Sequence, residues 1–144
     1  SEMCIRDRAI ASDTSSFATP GVNLGLFCST PMVALSRNVK KKDAMKMLLT
    51  GEMIDAEEAK RISLINDYVV SEKLSVEVMN LAKKIASKSM KTVNIGKSAF
   101  YKQAELSLSD AYRYTSEVMA KNIMNDDAKE GIASFIEKRD PNWD

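Results

Sequence analysis

The sequence predicts an α/β chain with few short strands and a predominantly helical C-terminal part. Apolar residues recur at three- and four-residue spacing in successive segments from Leu74 onward. Only two segments, one within residues 9–30 and one over 65–70, read as extended. A content of 44% apolar and 28% charged residues fits a globular, water-soluble chain.

Residues 1–8 (SEMCIRDR) do not share the pattern that follows and are set aside as a non-native leader; Glu2 and Asp7 interrupt any signal or transit pattern. Residues 9–30 read as extended, interrupted by Ser, Thr and Gly, with a turn at Pro20-Gly21. Thr30 before Pro31 is the order expected of an N-cap and the first helical residue, opening a helix over 31–37. A helix over 41–49 follows, with Ala44, Met47 and Leu48 on one face and Gly51 as its C-terminal cap. Asp55 with Glu58 forms a capping box for a short helix through Arg61.

Four helices complete the pattern. Leu74, Val78, Leu81, Ala82 and Ile85 line one face over 72–87, and a further helix spans 92–103, with Gly96 near its start. Ser107 and Asp110 cap a helix to about residue 125, with Leu108, Ala111, Thr115, Val118 and Met119 inward. The last, over 127–138, carries Ala128, Ile132, Phe135 and Ile136 as its apolar stripe. Two short extended segments so far apart cannot build a stable sheet unaided. Residues 9–30 are therefore expected to pair with strands missing from this chain, which makes the chain a fragment, or else to be a loop.

Composition excludes several chemistries. With no histidine, this chain alone holds no Ser-His-Asp or Cys-His pair and no His-ligated zinc. Cys4 and Cys28 cannot close a four-thiolate site and are too few for a disulfide framework, which favours a reducing compartment. The net charge of +1 gives no global attraction to nucleic acid, and no apolar run reaches the ~20 residues of a membrane span.

Few motifs carry chemistry by themselves. Cys28-Ser29-Thr30 sets a thiol and two hydroxyls at a helix start, where an anion could be held, although capping with a small buried thiol is the simpler reading. Asp126 and Glu130 share a helix face and could meet a hard cation, but acidic residues at a helix start more simply complement its dipole. Lys83, Lys84, Lys88, Lys91, Lys97 and Lys102 form an acid-free run that suits phosphates or a solvated surface.

The order of pieces FATPGVNLGLF, LLTGEMI with AEEA, LIN and the ending EGIASFIEKR resembles the enoyl-CoA hydratase/isomerase (crotonase) superfamily, over about residues 9–144. Within it, GLFCSTPMVALSRNV with Gly96-Lys97 and FYKQ is most similar to the enoyl-CoA hydratase domain-containing 3 branch. The resemblance implies a crotonase-like ββα spiral: residues 9–70 would end the core, and 71–144 would form a helical oligomerisation region. It also implies an acyl-CoA substrate, no metal, and no cofactor beyond coenzyme A as part of that substrate. Two backbone N–H groups would stabilise a thioester enolate, and in hydratases two glutamates position and activate a water.

The oxyanion donors and the first glutamate would lie upstream of Ala9, so no catalytic residue is expected within this chain. Gly21 takes the place of the second glutamate, as in the domain-containing 3 branch, and a glutamate introduced there is expected to favour water addition. By position, Pro20, Gly21, Leu26, Phe27 and Cys28 would border the acyl pocket, while Phe135 and Lys138 would touch the CoA moiety. A homotrimer or homohexamer is implied, with neither nucleic acid nor membrane as partner. The expected compartment is the bacterial cytoplasm, with the mitochondrial matrix as the alternative. A catalytically reduced acyl-CoA binder of the same fold and a helical interaction module remain as other readings.

Overall fold

The computed structural model describes residues 7–143 and divides into two compact units, Ser1–Asn80 and Leu81–Asp144. Most of the segment set aside as a leader, Cys4 included, lies outside the described residues.

In the first unit the two extended segments find each other. Strand β1 (Ile10–Ser12) pairs in parallel with β4 (Asp67–Val69), bringing Ala11 opposite Tyr68. A second, antiparallel pair joins β2 (Ser16–Phe17) to β3 (Ile54–Asp55), a strand that no alternating pattern marks in the sequence. Both sheets have two strands, and the outer edge of β1 is unpaired among the described residues. The extended reading fails beyond Phe17, because Pro20–Leu24 forms a 3-10 helix.

Helix α1 (Pro31–Asn38) begins at proline as expected, but Thr30 does not cap it. Thr30 already has helical dihedrals, and backbone carbonyls take the donors its hydroxyl would serve: Met32 N–H bonds Cys28 O at 3.0 Å and Val33 N–H bonds Thr30 O at 3.2 Å. Helix α2 (Lys41–Thr50) buries Ala44, Met47 and Leu48, the face its spacing predicts. It ends on Gly51 at φ 62°, a left-handed conformation that glycine adopts without steric cost. Helix α3 (Ala56–Arg61) starts under the expected cap, with Asp55 Oδ1 accepting from Glu58 N–H at 2.8 Å.

These elements surround two apolar clusters. Leu35, Val39, Ala44, Met47, Leu48 and Ile62 form one; Ala11, Ala56, Ala59 and Ile65 form the other. Phe17 and Ile54, paired across β2 and β3, pack against both.

The second unit contains helices and no strand among its described residues. Helix α4 (Leu74–Ala86) enters it and is followed by α5 (Met90–Gln103), α6 (Leu108–Ile123) and α7 (Asp126–Glu137). Helix α5 starts two residues earlier than its sequence suggests, because Ser89 Oγ accepts from Thr92 N–H at 3.0 Å. Ser107 caps α6 as expected.

The stripes predicted inward for these helices are inward only in part: Ala111 is buried, and Leu74, Leu81, Thr115, Val118 and Ala128 are half-buried. Val78 and Ile85 of α4, Leu108 and Met119 of α6, and Ile132, Phe135 and Ile136 of α7 are all exposed. Ala99 and Ala111 are the buried apolar residues of this unit, beside the polar Ser89, Asp127 and Ser134. Helices α5, α6 and α7 meet one another, but no described element lies over the larger apolar side chains.

Candidate functional site

The loop after β2 brings Gly21, Leu26 and Cys28 together although they are spread over eight residues of sequence. Leu26 N–H donates to Gly21 O at 2.9 Å, closing the 3-10 turn, and Gly21 N–H donates to Cys28 Sγ at 3.3 Å. The thiol is half-buried and packs against the Leu35 cluster. Around it, Pro20, Leu26 and Phe27 are exposed, so these five residues form one loop surface with glycine at its floor.

The floor has no room for a side chain. A Cβ on Gly21 would stand 2.7 Å from Cys28 Sγ and 2.8 Å from Leu26 O. The second of these atoms is backbone, fixed by the turn, and cannot swing aside. The expectation that a glutamate at 21 would simply restore a carboxylate is therefore corrected: the residue would have to re-form the loop to fit.

Beside this loop lies a cavity of ≈ 570 Å³ lined by Phe17, Thr19, Leu35, Asn38 and Leu64, among others. Thr19 is only 9% exposed, and its Oγ1 has no hydrogen-bond partner. Buried hydroxyls are normally satisfied, so Thr19 marks an unsatisfied polar point in a recess that Ser16, Asn38, Ser63 and Asn66 also line. Sequence reasoning missed it, since one threonine before a proline carries no periodic or motif signal.

In the second unit, Phe135 and Lys138 occupy the end of α7. Phe135 is 85% exposed, so the apolar stripe of α7 does not carry it into a core. Lys138 is the C-terminal cap at φ 55° and ψ 42°, and its ammonium makes no ion pair among the described residues. A non-glycine residue in the left-handed region costs roughly 1–2 kcal/mol, so this helix end must be held from outside.

Neighbouring charges provide the hold. Arg139 grips Glu130 with two bonds, Nη1–Oε1 at 2.5 Å and Nη2–Oε2 at 2.9 Å, and reaches Glu137 Oε2 through Nε at 2.6 Å. The Arg139 guanidinium, with Asn142 N–H, pulls the Glu130 carboxyl down from 4.5 to about 2. Asp126 bonds Lys129 at 3.1 Å, so both carboxylates considered for a cation serve lysine or arginine instead. No cluster of three or more His, Cys, Asp or Glu suited to a metal occurs among the described residues. Of the lysine run, Lys102 stacks its ammonium 4.5 Å above the Tyr114 ring. No described helix is long and apolar enough to cross a membrane.

Comparison with known proteins places this chain in a known class. It belongs to the enoyl-CoA hydratase/isomerase family, whose sequence profile matches residues 3–144. Among its relatives, the mouse protein named "Enoyl-CoA hydratase domain-containing protein 3, mitochondrial" is 54% identical over 137 residues, covering 95% of this chain and 46% of the relative. The human protein of the same name is 52% identical over the same length, and a probable enoyl-CoA hydratase of Rhizobium meliloti is 36% identical over 138 residues.

Solved structures agree. The crystal structure of human enoyl Coenzyme A hydratase domain-containing protein 3 matches with a TM-score of 0.91 at 52% identity, covering 95% of this chain and 54% of that one. An enoyl-CoA hydratase of Mycobacterium smegmatis matches with a TM-score of 0.92 at 44% identity, covering 95% and 53%. The chain therefore has the crotonase-type α/β fold and spans about half the length of the relatives it matches.

Proposed function

We propose that the protein to which this chain belongs binds fatty acyl-CoA thioesters and stabilises the thioester enolate, and that this chain contributes one wall of the acyl pocket and the coenzyme A contact. The observation that carries the reading is the end of α7, where an exposed ring and an unpaired ammonium stand three residues apart. Phe135 offers a flat apolar face to the adenine of CoA, and Lys138 offers a point charge to its phosphates. Pro20, Gly21, Leu26, Phe27 and Cys28 would border the acyl chain. The oxyanion donors that take up the developing enolate charge, worth a large share of the barrier in such reactions, come from parts of the protein outside this chain. The homotrimer or homohexamer implied by family resemblance remains part of the proposal, as does a mitochondrial compartment, which the names of the relatives at 52–55% identity support. Those names lend no support to the bacterial cytoplasm.

The Gly21 floor favours a second reading within the same site, a crotonase homologue with reduced catalysis. Two-glutamate water addition needs a carboxylate where Gly21 has no space for even a Cβ. In the full-length protein, acyl-CoA binding is expected without rapid crotonyl-CoA hydration. Gly21→Glu is expected to lower the unfolding midpoint and to fall well short of the ~10²–10⁴-fold gain of a correctly placed acid–base group. Fast hydration by the unmodified protein would overturn the reduced-catalysis reading, and loss of all affinity for acyl-CoA would overturn the proposal as a whole.

A further inference from the structure

We infer that Arg139 is a positioning residue: its fork on Glu130 latches the residues after α7 back against the helix, and this latch keeps Lys138 in the left-handed conformation from which it meets coenzyme A. The part concerning coenzyme A rests on the reading proposed above; the latch itself does not.

Helix α7 stops at Glu137, and Lys138 turns the chain with a positive φ that lysine does not favour. Lys138 N–H reaches Phe135 O at a long 3.4 Å, and Arg139 N–H reaches Ser134 O at 3.1 Å. The turn is then tied at three further points. Arg139 takes both oxygens of Glu130, nine residues back, and also donates to Asp140 O at 3.2 Å. Asn142 N–H donates to the same carboxylate at 2.8 Å, so Glu130 receives three donors from beyond the helix. Trp143 completes the strap: its Nε1–H donates to Ser87 O at 2.9 Å, and its ring lies against Gly131, where a Cβ would be 3.4 Å from the indole.

An isolated surface pair contributes little, but here one arginine fork organises a five-residue return. Without it, only the backbone bonds to Phe135 O and Ser134 O hold Lys138 left-handed, and its ammonium would sweep over other positions.

Trp143 is the sole tryptophan of the chain, so docking of the strap can be followed apart from ligand binding. The experiment measures acrylamide quenching of Trp143 in the full-length protein, with Trp143→Phe as the blank, and the affinity for coenzyme A itself. Arg139→Gln is expected to raise quenching and to weaken CoA binding by roughly five- to thirtyfold, the shift from releasing one strained residue. Glu130→Gln, nearly isosteric, is expected to do the same and stands in should the arginine variant fail to fold. Arg139→Lys should not restore either readout, because a point charge cannot replace the fork. Lys138→Ala is expected to weaken CoA binding by about tenfold or more with quenching unchanged.

Unchanged quenching in both Arg139→Gln and Glu130→Gln overturns the latch. Release of Trp143 with full CoA affinity, while Lys138→Ala loses affinity, overturns the positioning role. Should Lys138→Ala also keep full affinity, the CoA reading itself is wrong and its link to Arg139 falls with it.

Discussion

The two units of this chain bury different things. The first closes on Leu35, Val39, Met47, Leu48 and Ile62, with alanines sealing a second cluster beside them. The second buries two alanines and a polar set, Ser89, Asp127 and Ser134, while Leu108 at 76% and Phe135 at 85% exposure face outward. Amphipathic spacing is equally clear in both, so spacing reports that a helix has an apolar face, not that anything in the same chain covers it. In the second unit the uncovered stripes are surface available to a ligand or to another part of an assembly.

Substitutions can break or sharpen this contrast. Leu48→Ala, in the first unit, removes a large side chain from a cluster that cannot fully collapse and should cost about 2–5 kcal/mol, read as the shift of a denaturant midpoint. A change below about 1 kcal/mol would mean that the first unit has no stronger core than the second.

Asp127→Ala probes the polar interior of the second unit. Asp127 accepts a short hydrogen bond from Ser89 Oγ, which also caps α5. Its loss should cost about 1.5–3 kcal/mol, the range for hydrogen bonds to charged groups, and Asp127→Asn should recover part of it. Equal midpoints for the alanine, asparagine and unmodified proteins would show that this buried pair does not hold α5 to α7.

Phe135→Ala should change the stability of the isolated chain by no more than about 0.5 kcal/mol, as for other surface positions. The same substitution in the full-length protein is expected to weaken coenzyme A binding. A large stability loss in the isolated chain would mean that Phe135 is packed rather than exposed in solution.

The smallest effect is electrostatic and local. Because the folded carboxyl of Glu130 lies below its ordinary 4.5, its contribution is complete above pH 4.5 and is lost as pH falls toward about 2. Carboxyl NMR should show Glu130 titrating near 2, and Arg139→Gln should return it toward the ordinary glutamate range. An ordinary titration in the unmodified protein would show that the latch is open in solution.

Much of this architecture was legible in the sequence wherever the determinant is local. Asp55 and Ser107 bond the amides their spacing indicates, Gly51 takes the left-handed cap, and α2 buries the face its pattern marks. Features made by distant partners were not legible. The pairing of Ser16–Phe17 with Ile54–Asp55 is two residues long and has no alternation to betray it. Thr30 has the composition of a cap, but carbonyls of its own loop satisfy the donors first. In the site, family resemblance pointed to Gly21, Phe135 and Lys138. It did not reveal that Cys28 Sγ and Leu26 O close the space above Gly21, nor that Glu130 and Arg139 join across a helix end, because neither spacing follows a helical or strand period.

The parallel pairing of β1 with β4 has a consequence in time. Ile10 and Asp67 are opposite one another yet 57 positions apart, and everything between them must be threaded before that ladder exists. On a ribosome adding ~5–20 residues per second, β1 waits about 3–11 s before its partner has been made. During that interval the edge of β1 that faces β4 is left without that partner. The step that joins the two strands also bears the loop-closure entropy of the whole first unit, which places it among the last contacts to form and makes its rate sensitive to chain length between them.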